Sequence, residues 1–305
     1  MTAEEVVGAL EGAYGVHPGE RRNHTKGTCA LGTFVGRPEA AAYSRSALFS
    51  GQPVPVVARF SLAGGDPHAS DTNRSPRGMA LEFRLPNGSL QHMTMINTPM
   101  FFAAMPRTFL DKMLALKPDP ATGKPNPEAL KAFAESHPDT KGQATFLATN
   151  NPPRSYAIVP TTAFRLSSSL TGKSHVGAVA LRSPGRRKTT FRAEMTSEPT
   201  DFLEKALIDR TQQGPVRWDM FLTIGEPGYP ETDPTILWPK DRKELKVGTL
   251  TISSAMNQEG AVCENINYDP LVMANGIAAT DDPVLPFRSS SYALSFTKRL
   301  QEKWF

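Results

Sequence analysis

The chain has 305 residues, with 34 Lys and Arg against 30 Asp and Glu for a formal net charge of +4. That length excludes a disulfide-stapled miniprotein, and no apolar run approaches the ~18 residues that a membrane span needs. The 23 glycines and 27 prolines punctuate the chain too densely for a helical bundle and favour many short strands and turns, in one domain over residues 1–305.

Thr2-x-x-Glu5 has the form of a capping box ahead of Val6, Val7, Leu10 and Tyr14, and predicts a short N-terminal helix ending near Gly12 to Gly15. Residues 16–40 hold glycine, basic residues and threonine with only short apolar pieces, and read as an extended arm laid over the rest. Val54 to Leu62, set between Pro53 and Gly64-Gly65, has the pattern of a central strand. Met79, Leu81, Phe83 and Leu85 then alternate up to Pro86-Asn87-Gly88, and Leu90 to Ile96 runs back, which predicts a β-hairpin.

Helical spacing over 107–136, interrupted by a proline-rich stretch at 118–127, predicts two helices. Strand patterns follow at 155–160, 175–182, 188–196, 216–224 and 247–253, with a helix at 201–212. Residues 267–287 form an irregular stretch of a length that usually carries function or wraps around something. A last helix is expected from about Arg288. Strands with so few helices between them point to a mainly β, α+β fold with an antiparallel sheet or barrel rather than a doubly wound sheet.

Basic residues are dispersed, and the tightest cluster, Arg186-Arg187-Lys188, reads as a solvated turn, so nucleic acid is not an expected partner. Cys29 and Cys263 are too few for a metal cage and either pair or stay reduced. The N-terminus lacks the basic region and long apolar stretch of a secretory signal, so the expected location is the cytoplasm, or the periplasm if an export signal has been trimmed. There is no G-x-G-x-x-G, H-E-x-x-H or G-x-S-x-G, and Gly172-Lys173-Ser174 lacks the upstream glycine of a phosphate loop because Ser167 stands there.

Three segments carry polar residues unusual for their surroundings. His24 lies among basic residues in Arg21-Arg22-Asn23-His24-Thr25-Lys26-Gly27. Arg59 interrupts an apolar strand at Arg59-Phe60-Ser61, where a buried guanidinium needs an anionic partner. Arg288 and Tyr292 are spaced i and i+4, which on a helix sets a guanidinium beside a phenol. Each has a plain reading as well: a surface histidine, a structural ion pair, a chance spacing.

Their order along the chain decides between these readings. Arg21-x-x-His24-x-Lys26-Gly27, Ala58-Arg59-Phe60-Ser61, Asp71-Thr72-x-Arg74-x-Pro76-Arg77-Gly78, Asn97-Thr98-Pro99-x-Phe101-Phe102 and Arg288-x-x-x-Tyr292 closely resemble the haem catalase family. Trp238-Pro239-Lys240, Val247-Gly248-Thr249-Leu250, Tyr268-Asp269-Pro270 and Gly276-Ile277 match in the same order, so the resemblance runs from about residue 17 to 299. In length the chain is similar to the reduced form of that family, the catalase-related peroxidases.

The resemblance implies an eight-stranded antiparallel β-barrel with a haem-covering N-terminal arm, peripheral helices and haem b as the iron cofactor. It implies Tyr292 as the axial iron ligand, with Arg288 favouring its phenolate. His24 matches the distal acid-base residue, worth ~10²–10⁴ in rate for such a group, and Ser61 the hydroxyl that orients it. Arg21, Arg59 and Arg299 match the arginines that meet the haem propionates, and Phe109 the aromatic over the macrocycle. Two positions depart from the family pattern: Ile96 stands where the first of two asparagines is usual, and Phe296 where ordinary catalases usually have histidine. The function implied is reduction of hydrogen peroxide or an organic hydroperoxide with a small organic electron donor, by a monomer or homo-oligomer, with weak dismutation. The alternatives are a true small catalase, rearrangement of a fatty-acid hydroperoxide, and a haem-binding barrel without turnover.

Overall fold

Thr2 closes the capping box expected of it: its Oγ1 accepts the Glu5 N–H at 3.3 Å, while its own N–H donates to the Glu5 carboxylate at 2.6 Å. Helix α1 (Ala3–Tyr14) follows in the computed structural model, which describes residues 1–150, 162–167, 173–183, 198–239 and 241–303. The strand patterns at 155–160 and 188–196 and the basic turn at 186–188 lie outside the described residues.

Among the described residues nine strands share one antiparallel sheet: β1 (Gly27–Gly36), β2 (Pro53–Leu62), β3 (Arg77–Arg84), β4 (Leu90–Ile96), β5 (Thr162–Ser167), β6 (Ser174–Arg182), β7 (Val216–Ile224), β8 (Glu244–Asn257) and β9 (Ile277–Ala279). Their order is β4-β3-β2-β1-β8-β7-β6-β5-β9. Among the described residues the sheet is antiparallel as expected, and no pairing joins its edge strands β4 and β9. It is strongly curled nonetheless. β2 and β7 are three places apart, which in a flat sheet is ~14 Å, yet the rings of Phe60 and Trp218 lie 5.6 Å apart. Phe34, Phe60, Phe83, Met93, Leu181, Met220 and Leu250 belong to one core that both halves of the sheet enclose.

The arm expected over 16–40 is corrected by β1, which occupies the middle of the sheet between β2 and β8. Its glycines concealed it. A Cβ at Gly32 would run into the backbone of Thr251 and one at Gly36 into that of Leu48, so close packing removes the β-branched residues that normally mark a central strand.

The helices are α2 (Pro106–Ala115), α3 (Pro127–Ser136), α4 (Lys141–Thr149), α5 (Phe202–Gln212) and α6 (Val284–Lys303). α6 begins four residues before the expected Arg288, and Pro286 lies inside its first turn, where the missing N–H has no intrahelical partner to lose. Val6, Ala9 and Leu10 of α1 pack on Leu110 and Met113 of α2, with Phe109 and Phe287 against the same cluster. No helix among the described residues is long and apolar enough to cross a membrane.

What remains of the arm, residues 15–26, is pinned by side chains. Arg22, 4% exposed, donates from Nε to Glu11 of α1 at 2.8 Å and grips both carboxylate oxygens of Glu302 of α6. Lys298 also meets Glu11, at 2.8 Å. Cys29 and Cys263, whose pairing the spacing left open, are joined with Cα atoms 5.7 Å apart, which fastens the turn Val262–Asn265 to β1.

The hydrogen bond from Arg22 holds the Glu302 carboxyl below the usual carboxylate range. Its stabilising contribution is complete above the unfolded value of about 4.3 and fades as pH falls through the folded one. Glu302→Gln is expected to lower the thermal midpoint by roughly 2 °C at pH 7, with the gap to the wild type closing below about pH 4. Melting curves at the two pH values check this, and a gap that persists in acid refutes the latch.

Candidate active site

A cavity of about 340 Å³ opens between β2 to β4, the 15–26 segment and α6, lined by His24, Ser61, Phe109, Tyr292 and Arg299 among others. That volume lies within the usual range for cofactor sites. All eight sequence-predicted site residues line it.

His24 enters from the irregular segment with a backbone φ of 53°, the only positive value at a non-glycine among the described residues. Local bonds hold this strained geometry. The Asn23 side-chain oxygen accepts the N–H groups of His24 and Gly64, both at 2.9 Å. Arg59 reaches up from β2 and donates to the carbonyls of His24 and Thr25, both at 2.7 Å, and to the Gln258 side-chain oxygen at 2.6 Å. These oxygens are neutral, and the anion that the strand pattern calls for is not among them.

The His24 imidazole has its Nδ1 2.9 Å from Ser61 Oγ. Gly78 on β3 makes this possible, because a Cβ there would lie 2.8 Å from Nδ1 and 2.7 Å from Ser61 Oγ. Burial, reinforced by the charges of Arg59 and Arg288, pushes the His24 pKa down to about 3, so the ring is neutral at ordinary pH. Register sets Ile96 of β4 opposite Gly78, and Ile96 lines the cavity. The side chain across from the histidine is therefore apolar.

On α6 the i, i+4 spacing does what the sequence predicts. Arg288 Nη2 donates to Tyr292 Oη at 2.7 Å and to Thr94 Oγ1 at 2.7 Å. Two helical turns beyond Tyr292, Arg299 is 4% exposed, its guanidinium lies 4.8 Å from the Phe296 ring, and its Nη1 has no hydrogen-bond partner among the described residues. Phe296 thus packs against a cation where the family pattern has histidine. Arg21 donates to the carbonyls of Cys263 and Ile266, each at 2.9 Å, so the turn fastened by the cysteines also holds this arginine. Phe109 stacks at 6.5 Å on Phe101 and lies 5.6 Å from Phe102.

An orphaned buried guanidinium calls for an acidic group, and a phenol oxygen backed by a cation is a hard donor suited to oxidised iron. Among the described residues no three His, Cys, Asp or Glu side chains cluster as a metal cage. The site therefore fits a planar, acid-bearing macrocycle whose metal takes one protein ligand. Sequence reasoning missed Asn23, Gly78 and Thr94. Gly78 and Asn23 lie inside or beside quoted motifs, but their roles depend on contacts between strands and loop that no local pattern displays.

A family model described as Catalase matches residues 17–304. The catalase-related peroxidase of Synechococcus elongatus is 52% identical over 302 residues, covering 98% of this chain and 89% of its own length. A protein of the same name from Mycolicibacterium paratuberculosis is 30% identical, covering 98% and 95%. Catalase A from Saccharomyces cerevisiae superposes with a TM-score of 0.83 at 24% identity, over 92% of this chain and 61% of that one, which is a likeness of fold. With a family model spanning nearly its whole length and relatives that match it end to end, the chain belongs to the catalase family.

Proposed function

We propose that the chain is a single catalase-like domain that binds haem b and reduces hydrogen peroxide or an organic hydroperoxide with an organic electron donor, dismutating hydrogen peroxide weakly. The observation that carries this is the convergence on one cavity of a neutral, serine-held histidine and an arginine-backed tyrosine. The name shared by the relatives at 52% and 30% identity accords with it. The curled sheet closes as the family's eight-stranded barrel, with residues 15–26 covering the haem.

Tyr292 Oη would hold the iron, Arg299, Arg21 and Arg59 would meet the propionates, and Phe109 would pack against the group. When bound, the haem would supply a ferric centre able to accept the oxidising equivalents of the peroxide. With Nδ1–H donated to Ser61 Oγ, Nε2 is the basic nitrogen of His24. It accepts the proton from one peroxide oxygen and returns it to the departing one, so that the leaving group departs as water or an alcohol. Arg288, fixed by its bond to Thr94 Oγ1, donates to the phenol oxygen of Tyr292 and so holds that oxygen in place.

Ile96 favours peroxidase over catalase chemistry. Dismutation needs a second hydrogen peroxide held and oriented beside His24, and an alkyl side chain offers it no hydrogen bond, whereas an organic donor needs none there. One preorganised donor is worth about 10²–10³ in rate where it acts on a transition state.

Tyr292→Phe is expected to abolish haem retention or to shift the ferric absorption spectrum, and an unchanged spectrum refutes the ligand assignment. Ile96→Asn is expected to raise donor-free oxygen evolution by at least about tenfold; vigorous evolution by the wild type itself would mark a true catalase. Because His24 titrates near 3, peroxide consumption should be flat from pH 5 to 8, with no inflection at the histidine value of about 6.5. A rate profile that breaks near 6.5 counts against a buried neutral His24.

A further inference from the structure

The segment 226–239 is absorbed only in part by the haem reading, since it lines the far part of the same cavity. Trp238 is buried, with Nε1–H donated to the Pro230 carbonyl at 3.2 Å. Its ring lies 5.2 Å from that of Tyr229 at an interplanar angle of 57°. Tyr229 is half-buried and does not line the cavity, so the pair runs from the cavity wall outward. Beside Trp238 in sequence, Ile236 and Leu237 are 52% and 48% exposed. A tryptophan held against a cavity needs no such partner for packing alone, and two adjacent large apolar side chains left half in water form a surface suited to an apolar aromatic molecule.

Resting on the peroxidase reading above, we propose that Trp238 and Tyr229 form an electron-entry site, through which a phenolic donor seated on the exposed sides of Ile236 and Leu237, at the rim of the cavity they line, reduces the peroxide-oxidised haem without reaching His24 or Tyr292. Contacting aromatic rings conduct single electrons because each stabilises a radical over its π system. The Glu226 carboxylate, three residues earlier in the chain, acts on the phenol electrostatically and is the proton acceptor that the relay uses. Burial first, then the Glu226 and Asp241 carboxylates, raise its pKa, so the phenol stays protonated until it is oxidised.

In each single-electron step, Trp238 gives one electron to the oxidised cofactor and regains one from Tyr229, whose proton passes to Glu226. A donor phenol at the surface then transfers a hydrogen atom to the tyrosyl oxygen, and Glu226 releases its proton to solvent. Two such steps, with the two protons that the cleaved peroxide needs, convert one hydroperoxide and two phenols into an alcohol, a water and two phenoxyl radicals.

The test uses the haem-loaded protein with tyramine, free and coupled to dextran too large to enter the cavity. Freeze-quenched samples mixed with peroxide should show a tyrosyl radical by electron paramagnetic resonance, lost in Tyr229→Phe. In that variant the ratio of kcat/KM for dextran-bound over free tyramine should fall at least tenfold. Tyr43→Phe is the control: its hydroxyl takes a hydrogen bond from Lys243 at 2.9 Å, away from the cavity, and both readouts should stay at wild-type values. A radical and a ratio that survive Tyr229→Phe overturn the relay. Wild-type oxidation of free tyramine alone also overturns the relay but leaves the peroxidase reading standing, whereas oxidation of neither phenol overturns both.

Discussion

The site depends on how a dozen residues without secondary structure are held still. Between Gly15 and Lys26 no helix or ladder constrains the backbone, yet His24 must face one point. Guanidinium forks supply the constraint. Arg59 rises from β2 to the carbonyls of His24 and Thr25, Arg22 reaches from the segment to α1 and α6, and Arg21 seizes the turn 263–266. Planar multidentate donors suit this task because several bonds form for one set of immobilised torsions. The cost is buried cations, which the carbonyl dipoles and carboxylates around them offset.

The curled sheet makes the second constraint. Curling brings β2, β3 and β4 under the segment and leaves so little room that Gly78 must lack a side chain for the imidazole to reach Ser61. The same closeness desolvates the ring and keeps it neutral. A hydrogen bond, a missing Cβ and a depressed pKa thus follow from one approach of loop to strand. Opposite that strand position, Ile96 removes a donor from an otherwise polar point, so the cavity is basic at its arginines and apolar where a second peroxide would sit.

The two ends of the cavity divide the chemistry by polarity. Near His24 and Tyr292, Ser291 Oγ and Arg299 Nη1 are buried side-chain atoms without a hydrogen-bond partner among the described residues. Toward Trp238 the lining turns to proline, isoleucine and leucine beside carboxylates such as Asp233.

Local chemistry was enough to read the capped first helix, the Asn-Gly hairpin, the paired helices after it and the Arg288–Tyr292 turn, because each is set by residues within a few positions of one another. The family resemblance that the polar motifs carry pointed to eight site residues, and all eight line the cavity. β1 escaped because its glycines answer to Thr251 and Leu48, hundreds or tens of residues away, and α6 was begun late because a proline in a first turn looks the same as a helix stop. The sequence by itself determined the family and which eight side chains to look for in the cavity. Only the tertiary structure decided that Gly78 makes room for His24, that Cys29 meets Cys263, that Arg22 latches two helices and that Arg299 keeps a donor unpaired, since each depends on distances between segments remote in the chain.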